Sequence, residues 1–246
     1  MVHPEDSYYR RDLALVHHRG FGFHAQACAP GILALLGPIR SREGTVLELG
    51  CGSGLLTREL TAAGHRVLAT DASPAMLDLA RGYAPAAEDI RTLVLPHDPL
   101  PLADAVVSVG HVLNYLPDEH AIDQALTAIA RALRPGGLFA IDICDLAYGE
   151  ARRDAPPAVG VQDDWAIITR FSLPAANRFV RQITTFVRGQ DDSWRRADET
   201  HHNVLIDTAR IPALLAAEGV QVKVASAFGS EQLPAGLRVL IGHRTA

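Results

Sequence analysis

The sequence predicts an α/β fold: a seven-stranded, mostly parallel sheet with helices on both faces, a helical N-terminal segment, and an antiparallel β-meander inserted after the fifth strand. Three observations predict it. An apolar strand, a glycine-rich turn and a helix start follow one another in Val46-Leu47-Glu48-Leu49-Gly50-Cys51-Gly52-Ser53-Gly54-Leu55-Leu56. Short apolar runs then alternate with helical patterns as far as Cys144, which implies right-handed crossovers. Beyond Leu146 that rhythm gives way to period-2 segments separated by turn residues.

Two helices are expected first, over 7–18 and 23–36, divided by Gly20-Phe21-Gly22, with Pro30 near the middle of the second or breaking it. The first strand covers Thr45–Leu49, and the helix over 55–63 ends at Gly64. A strand at 66–70 leads to a helix over 73–83, opened by Ser73 as N-cap and Pro74 in the first turn. Strands at 91–95 and 105–109 follow. A helix over 118–133 is stopped by Arg134-Pro135-Gly136-Gly137, and the fifth strand runs over 138–144. The meander has strands at 165–172, 179–189 and 194–204, and a helix over 208–218 with strands at 221–227 and 237–243 closes the chain. The meander is too small to fold alone. The chain therefore reads as one domain: a lid over 1–40, a core over 45–145, an insertion over 146–203 and a closing unit over 204–246.

Glycine at 50, 52 and 54 bends the chain sharply and removes side chains that would block a ligand. The helix that follows points its free N–H groups at the turn. Asp71, at the tip of the second strand, is placed to bind two ribose hydroxyls. Together they describe a pocket for a nucleoside-containing cofactor. The dinucleotide fingerprint Gly-x-Gly-x-x-Gly fails, because Leu55 (counting from Gly50) or Thr57 (counting from Gly52) replaces its last glycine.

No apolar run reaches membrane-spanning length, and the first residues show no signal-peptide pattern. Cys28, Cys51 and Cys144 fit neither a metal spacing nor a disulfide framework, so a cytoplasmic location is expected and no metal. A net charge of −5 argues against general nucleic-acid binding.

Four segments carry a family resemblance: Glu48-x-Gly50-x-Gly52-x-Gly54, Asp71-x-Ser73 with Met76, Gly110-His111-Val112-Leu113-Asn114-Tyr115-Leu116, and Arg134-Pro135-Gly136-Gly137. They resemble motif I, the turn after strand two, the segment after strand four and the approach to strand five of class I S-adenosylmethionine-dependent methyltransferases, which have a Rossmann-like sheet. The likeness runs from about residue 45 to the C-terminus. It extends to bacterial enzymes that methylate small molecules, including amino-sugar N-methyltransferases of antibiotic pathways, which carry a β-rich insertion after strand five.

The resemblance implies S-adenosyl-L-methionine as cofactor, held by Tyr9, Glu48, Gly50, Cys51, Gly52, Gly54, Leu55, Asp71, Ala72, Met76 and Gly110. Glu48 would favour the cofactor's ammonium and sulfonium. The family often reads adenine with an acidic residue after strand three and the next N–H. Here Asp98 precedes Pro99, which has no N–H, so Asp98 acts alone or His97 supplies the contact. The implied activity is methyl transfer to a nitrogen or oxygen of a small metabolite, in bacterial secondary metabolism. The implied partner is a small-molecule acceptor, with no nucleic acid and no membrane, in a monomer or homodimer. Other chemistry with the same cofactor, and a non-enzymatic S-adenosylmethionine-binding regulator, are the alternatives. The order Asn114-Tyr115-Leu116-Pro117 is wrong for a nucleic-acid methyltransferase motif.

Methyl transfer needs an aimed nucleophile and exclusion of water more than a fixed catalytic triad. His111, just past strand four, is the catalytic candidate: a base for a hydroxyl acceptor, or a group that positions an amine. Tyr8, His111, Tyr115, Trp165, Arg170 and His202 are the acceptor-binding candidates. Tyr8 and Tyr9 belong to the lid, and His17, His18 and His24 follow on the same segment. In the meander, Trp165 shares a strand face with Ile167, Thr169 and Phe171, with Arg170 on the other face. His201-His202-Asn203 end its last strand and can point back at the reaction centre.

Overall fold

The computed structural model describes residues 8–245. The first strands are β1 (Thr45–Leu49), β2 (Arg66–Asp71), β3 (Asp89–Thr92), β4 (Ala103–Ser108) and β5 (Leu133–Cys144). The meander contributes β6 (Ala158–Val161), β7 (Trp165–Ala175), β8 (Arg178–Arg188) and β9 (Trp194–Val204), and β10 (Val220–Ala225) and β11 (Leu237–Arg244) end the chain. Seven of these form one sheet in the order β10-β11-β5-β4-β1-β2-β3, and β6 to β9 form a second, antiparallel sheet. In the first sheet only the pairings of β11 are antiparallel. The order reverses between β1 and β4, and ligands bind outside the carboxyl ends of such a switch point.

Strand periodicity divides the core. Leu47, Leu49 and Val106 face α5 (Glu119–Ala132) and α7 (Ile211–Ala216). Val46 and Val107 face α2 (Phe23–Ser41), α3 (Leu55–Ala62) and α4 (Pro74–Tyr83). With both faces covered, β1 reads as the near-continuous apolar run seen in the sequence. α1 (Arg11–Gly20) packs elsewhere: its Leu13 and Val16 join Trp165, Ile167, Ile183 and Val187 of the meander.

Several boundaries differ from expectation. α1 begins at Arg11, so Tyr8 and Tyr9 precede it, and residue 7 lies outside the described residues. α2 continues through Pro30 and Pro38, because its stripe of Cys28, Ala29, Ile32, Leu36 and Ile39 is buried against the sheet. That packing outweighs the N–H groups the prolines lack. β5 starts at Leu133, since Leu133 pairs with Ala103 and Leu138 with Ala105. Arg134–Gly137 therefore bulges out of a strand instead of preceding it. β3 is shorter and earlier than 91–95, which frees Leu93, Val94 and Leu95 to line a cavity. β6 and the short α6 (Leu146–Glu150) were not anticipated, and the helix over 208–218 is a 3-10 turn (Thr208–Arg210) followed by α7. Among the described residues no single helix is long and apolar enough to cross a membrane.

Candidate active site

A cavity of about 560 Å³ opens at the carboxyl ends of β1, β2 and β4, and residues of α1, α2 and β8 complete its wall. Its floor is bare backbone at two glycines. A Cβ on Gly52 would find no atom nearer than Met76 Sδ at 4.0 Å, and one on Gly110 would meet nothing within 4 Å. Their φ angles of +54° and +102° also disfavour any other residue. Asp71 lines the same floor. Its Oδ2 accepts the Gly52 N–H and its Oδ1 the Ser73 N–H, each at 2.8 Å. Burial raises the Asp71 pKa, and these N–H groups oppose that rise. Ala72, Met76, Leu93, Val94 and Leu95 extend the floor as an apolar slot.

Several expected contacts stand behind this wall. Glu48 is 2% exposed, beneath the turn, where Thr57 Oγ1 donates to its Oε2 at 2.7 Å. Burial pushes its pKa up to about 8, so it carries a proton at neutral pH and does not present a carboxylate to a ligand. Cys51, Gly54 and Leu55 likewise do not line the cavity, whereas Gly50 does. A Cβ on Gly54 would pack at 3.2 Å on Ala80, and the Cys51 N–H bonds Thr70 O at 2.8 Å. His97 and Asp98 are also outside: Asp98 Oδ2 accepts the Val94 N–H at 2.7 Å and closes a local turn.

The other end of the cavity is aromatic and polar, with Tyr8, Tyr9, His24, His111, Tyr115, Tyr148 and Arg181 on its wall. Asp142, fully buried on β5, organises it. Its carboxylate accepts the N–H groups of Gly110 at 3.0 Å and His111 at 2.6 Å, and lies 2.7 Å from His24 Nε2. His111 takes a left-handed backbone, φ 49°, and its Nδ1 has no partner among the described residues. Burial, with the Arg181 guanidinium nearby, drives its pKa down to about 3. His24 moves the other way: burial alone would lower its pKa, but the hydrogen bond and charge of Asp142 raise it. Tyr115 Oη donates to Tyr9 Oη at 3.0 Å, lies 3.1 Å from His201 Nδ1, and accepts a hydrogen bond from Arg181 Nη2.

The segment ahead of α1 is pinned at one residue. The Tyr9 N–H bonds Glu199 Oε2 and the Tyr9 carbonyl accepts from Ser73 Oγ, both at 2.8 Å. That ties meander to core across the cavity. Asn114, one turn past His111, is fully buried and bonds backbone of Cys144 and Val204, so it joins β5 to β9.

The meander candidates fall on the wrong side or the wrong neighbours. Trp165 is packed between α1 and the meander, 6% exposed, and is off the cavity wall. Arg170 and His202 are exposed on the outer face of their sheet. The inner face carries their neighbours in register: Arg181 pairs with His201 across β8 and β9 and with Phe171 across β7 and β8. Sequence reasoning therefore did not single out Arg181 and Tyr148 on the wall or Asp142 behind it, and named Ser73 only as a helix cap in the turn after the second strand. Asp142 did leave a signal, as a lone acid within the apolar strand Phe139-Ala140-Ile141-Asp142-Ile143-Cys144.

Residues 46–137 match the protein family described as "Methyltransferase domain". A putative methyltransferase of a Geobacillus species is 25% identical over 194 residues, covering 77% of this chain and 78% of that protein. The methyltransferase gedG of Aspergillus terreus is 33% identical over 159 residues, 60% of this chain and 45% of that protein, so the match spans less than half of the fungal chain. Residues 46–137 thus carry a methyltransferase domain, and the chain is similar over most of its length to a methyltransferase. The chain shares its whole fold with solved structures. The sugar N-methyltransferase KedS8 from a Streptoalloteichus species superposes with TM-score 0.79 at 19% identity, covering 98% of this chain and 96% of that one. The amino pentose methyltransferase CalS10 from Micromonospora echinaspora, with S-adenosylmethionine bound, gives 0.70 at 18% identity, covering 99% and 100%. The cavity floor of this chain offers open backbone at Gly52 and Gly110 beside the Asp71 carboxyl group, which leaves room for a nucleoside-containing ligand.

Proposed function

We propose that this enzyme transfers the methyl group of S-adenosylmethionine to a nitrogen or oxygen of a small metabolite, in bacterial secondary metabolism, acting as one domain. One observation carries this reading: a single cavity joins the glycine floor to the aromatic wall under the Tyr8-Tyr9 lid. Its size is that of a small-molecule site, a few hundred Å³. The likeness in fold to a sugar N-methyltransferase and an amino pentose methyltransferase supports a small acceptor.

In this reading Asp71 receives the ribose hydroxyls, and the apolar slot of Met76, Val94 and Leu95 receives the adenine. The bound cofactor supplies an electrophilic methyl group on a sulfonium, which leaves as a neutral thioether. Tyr8, His111, Tyr115 and Tyr148 aim the acceptor and exclude water. His111, neutral over the working pH range, serves as a hydrogen-bonding wall and not as the base. The proton that the acceptor loses goes to His24. Its Nε2–H is held by Asp142, which leaves Nδ1 to accept, and Asp142 raises its pKa, which makes it the stronger base.

The test incubates the enzyme with methyl-labelled S-adenosylmethionine and a panel of amino and hydroxyl metabolites. Label in an acceptor, matched mole for mole by S-adenosylhomocysteine, is expected. Cofactor consumption with no label in any acceptor would favour non-methylating chemistry. The rate should rise with pH through the raised His24 pKa, and His24→Gln should remove that limb. An unchanged profile would take His24 out of the reaction.

A further inference from the structure

Arg181 is set in the cavity wall by the inner face of β8, opposite His201 and beside Tyr115. Its Nε is buried without a partner, and its hydrogen bond among the described residues runs from Nη2 to Tyr115 Oη. No carboxylate among the described residues forms an ion pair with it. Other arginines differ: Arg10 meets Glu199, Arg195 meets Asp12 and Arg210 meets Asp123. The groups whose charge Arg181 feels most are the side chains of Tyr115, Tyr9, Tyr148 and Cys144. Burial raises the pKa of Tyr115, Tyr148 and Cys144, so these three offer no negative charge.

A buried guanidinium is ordinarily paired, because desolvating a charge without compensation is costly. Among the described residues the compensation is the hydroxyl and the ring face of one phenol, Tyr115. The bound cofactor adds a second cation to the same cavity, which makes the imbalance worse. An anionic group on the acceptor would correct it. Arginine's planar fork is matched to carboxylate and phosphate oxygens.

We propose that Arg181, with Tyr115 beside it, binds an oxyanion carried by the acceptor, so that the substrates are acidic small molecules. This rests on the methyl-transfer reading above and names its substrate class. The position favours the acceptor over the cofactor's own carboxylate. Arg181 stands by Tyr115 and Cys144, past the ends of β4 and β5, whereas Gly52 and Asp71 mark the ends of β1 and β2.

The test uses the full chain saturated with S-adenosylhomocysteine, titrated in a calorimeter with benzoate, phenyl phosphate and neutral benzamide. At least one anion should bind about tenfold or more tightly than benzamide, and Arg181→Met should abolish that preference. Whichever anion is favoured distinguishes a carboxylate from a phosphate substrate. Affinity for S-adenosylhomocysteine should stay within about twofold in the variant. Anions binding no better than benzamide would overturn the proposal. So would a parallel loss of S-adenosylhomocysteine affinity, which would assign the guanidinium to the cofactor. Replacing a buried ion by an apolar residue of similar size is often neutral or stabilising, so Arg181→Met should melt no lower than wild type. If it does not fold, Arg181→Gln carries the same comparison. Failure of methyl transfer itself would appear separately, as anion binding that depends on Arg181 without labelled product.

Discussion

The Gly52 N–H and Asp71 Oδ2 are hydrogen-bonded at 2.8 Å, joining the turn after β1 to the tip of β2. One carboxylate thus fixes the backbone of the cofactor floor and faces the cavity. Its second oxygen is held by the Ser73 N–H, so the whole group is oriented before any ligand arrives.

Asp71→Ala should weaken S-adenosylhomocysteine binding by about tenfold or more, the worth of hydrogen bonds to a charged group. Isothermal calorimetry on the folded variant measures it. An unchanged dissociation constant would place the ribose elsewhere.

Gly52→Ala separates floor from fold. No neighbouring atom would clash with the new Cβ, so the fold loses only about 1–2 kcal/mol for the left-handed backbone. Cofactor affinity should fall much further, because the methyl group enters the cradle. Melting temperature and calorimetry read the two effects, and equal binding in the variant would show that the cofactor does not approach Gly52.

Glu48 makes stability fall as pH rises. Its folded pKa of about 8 lies above the ordinary 4.5, so the folded state holds the proton more tightly. That stabilising contribution is complete below the unfolded value and is lost as pH climbs through the folded one. Glu48→Gln should therefore gain thermal stability over wild type progressively from about pH 5 to pH 8. Melting curves that stay parallel across this window would refute it.

His111 has the opposite sign. Its pKa falls from the ordinary 6.5 to about 3, and that of His17 to about 4, so both are neutral in the fold. Their contribution is full above the unfolded pKa and is lost as pH falls towards the folded values. His111→Gln should flatten the acid side of the melting-temperature profile. It should also keep much of the turnover, with the pH–rate limb in place, because an amide still hydrogen-bonds. A lost limb would restore His111 as the base.

In the meander, His202→Ala should leave turnover and stability nearly unchanged, while His201→Ala should impair both. His201 is fully buried, 2.9 Å from Glu199 Oε2, which in turn holds the Tyr9 N–H. Trp165→Ala should destabilise the protein by about 3–5 kcal/mol, as an emptied aromatic core site does. Melting and steady-state kinetics check all three. Full stability in Trp165→Ala with altered acceptor KM would return Trp165 to the acceptor site.

The glycine-floored end of the cavity was legible because its signals are local. A glycine floor, an acid at a strand tip and an N-capped helix each need only adjacent residues, so Gly50, Gly52, Asp71 and Met76 could be placed by spacing. Glu48 misled for a related reason. A strand-end carboxylate reads as ligand-facing, yet the strand's alternation turns it under the turn towards Thr57. Asp98 misled because a turn acid bonding its own backbone looks the same in sequence as one that reads adenine.

By itself the sequence determined the mostly parallel sheet with helices on both faces, the glycine-rich turn after its first strand and the presence of an antiparallel insertion. Each follows from periodicity and turn chemistry within short windows. Only the tertiary structure decided which face of the insertion is the inner one. Period-2 alternation separates Arg170 from Phe171 and His201 from His202, but it assigns neither side to the core. That choice came from α1, whose Leu13 and Val16 pack on Trp165, Ile167, Ile183 and Val187 and so bring Arg181 and His201 to the cavity side. Burial then reset the chemistry, driving the pKa of His111 down and letting Asp142 raise that of His24, an outcome that for His24 depends on a neighbour 118 residues away in the chain.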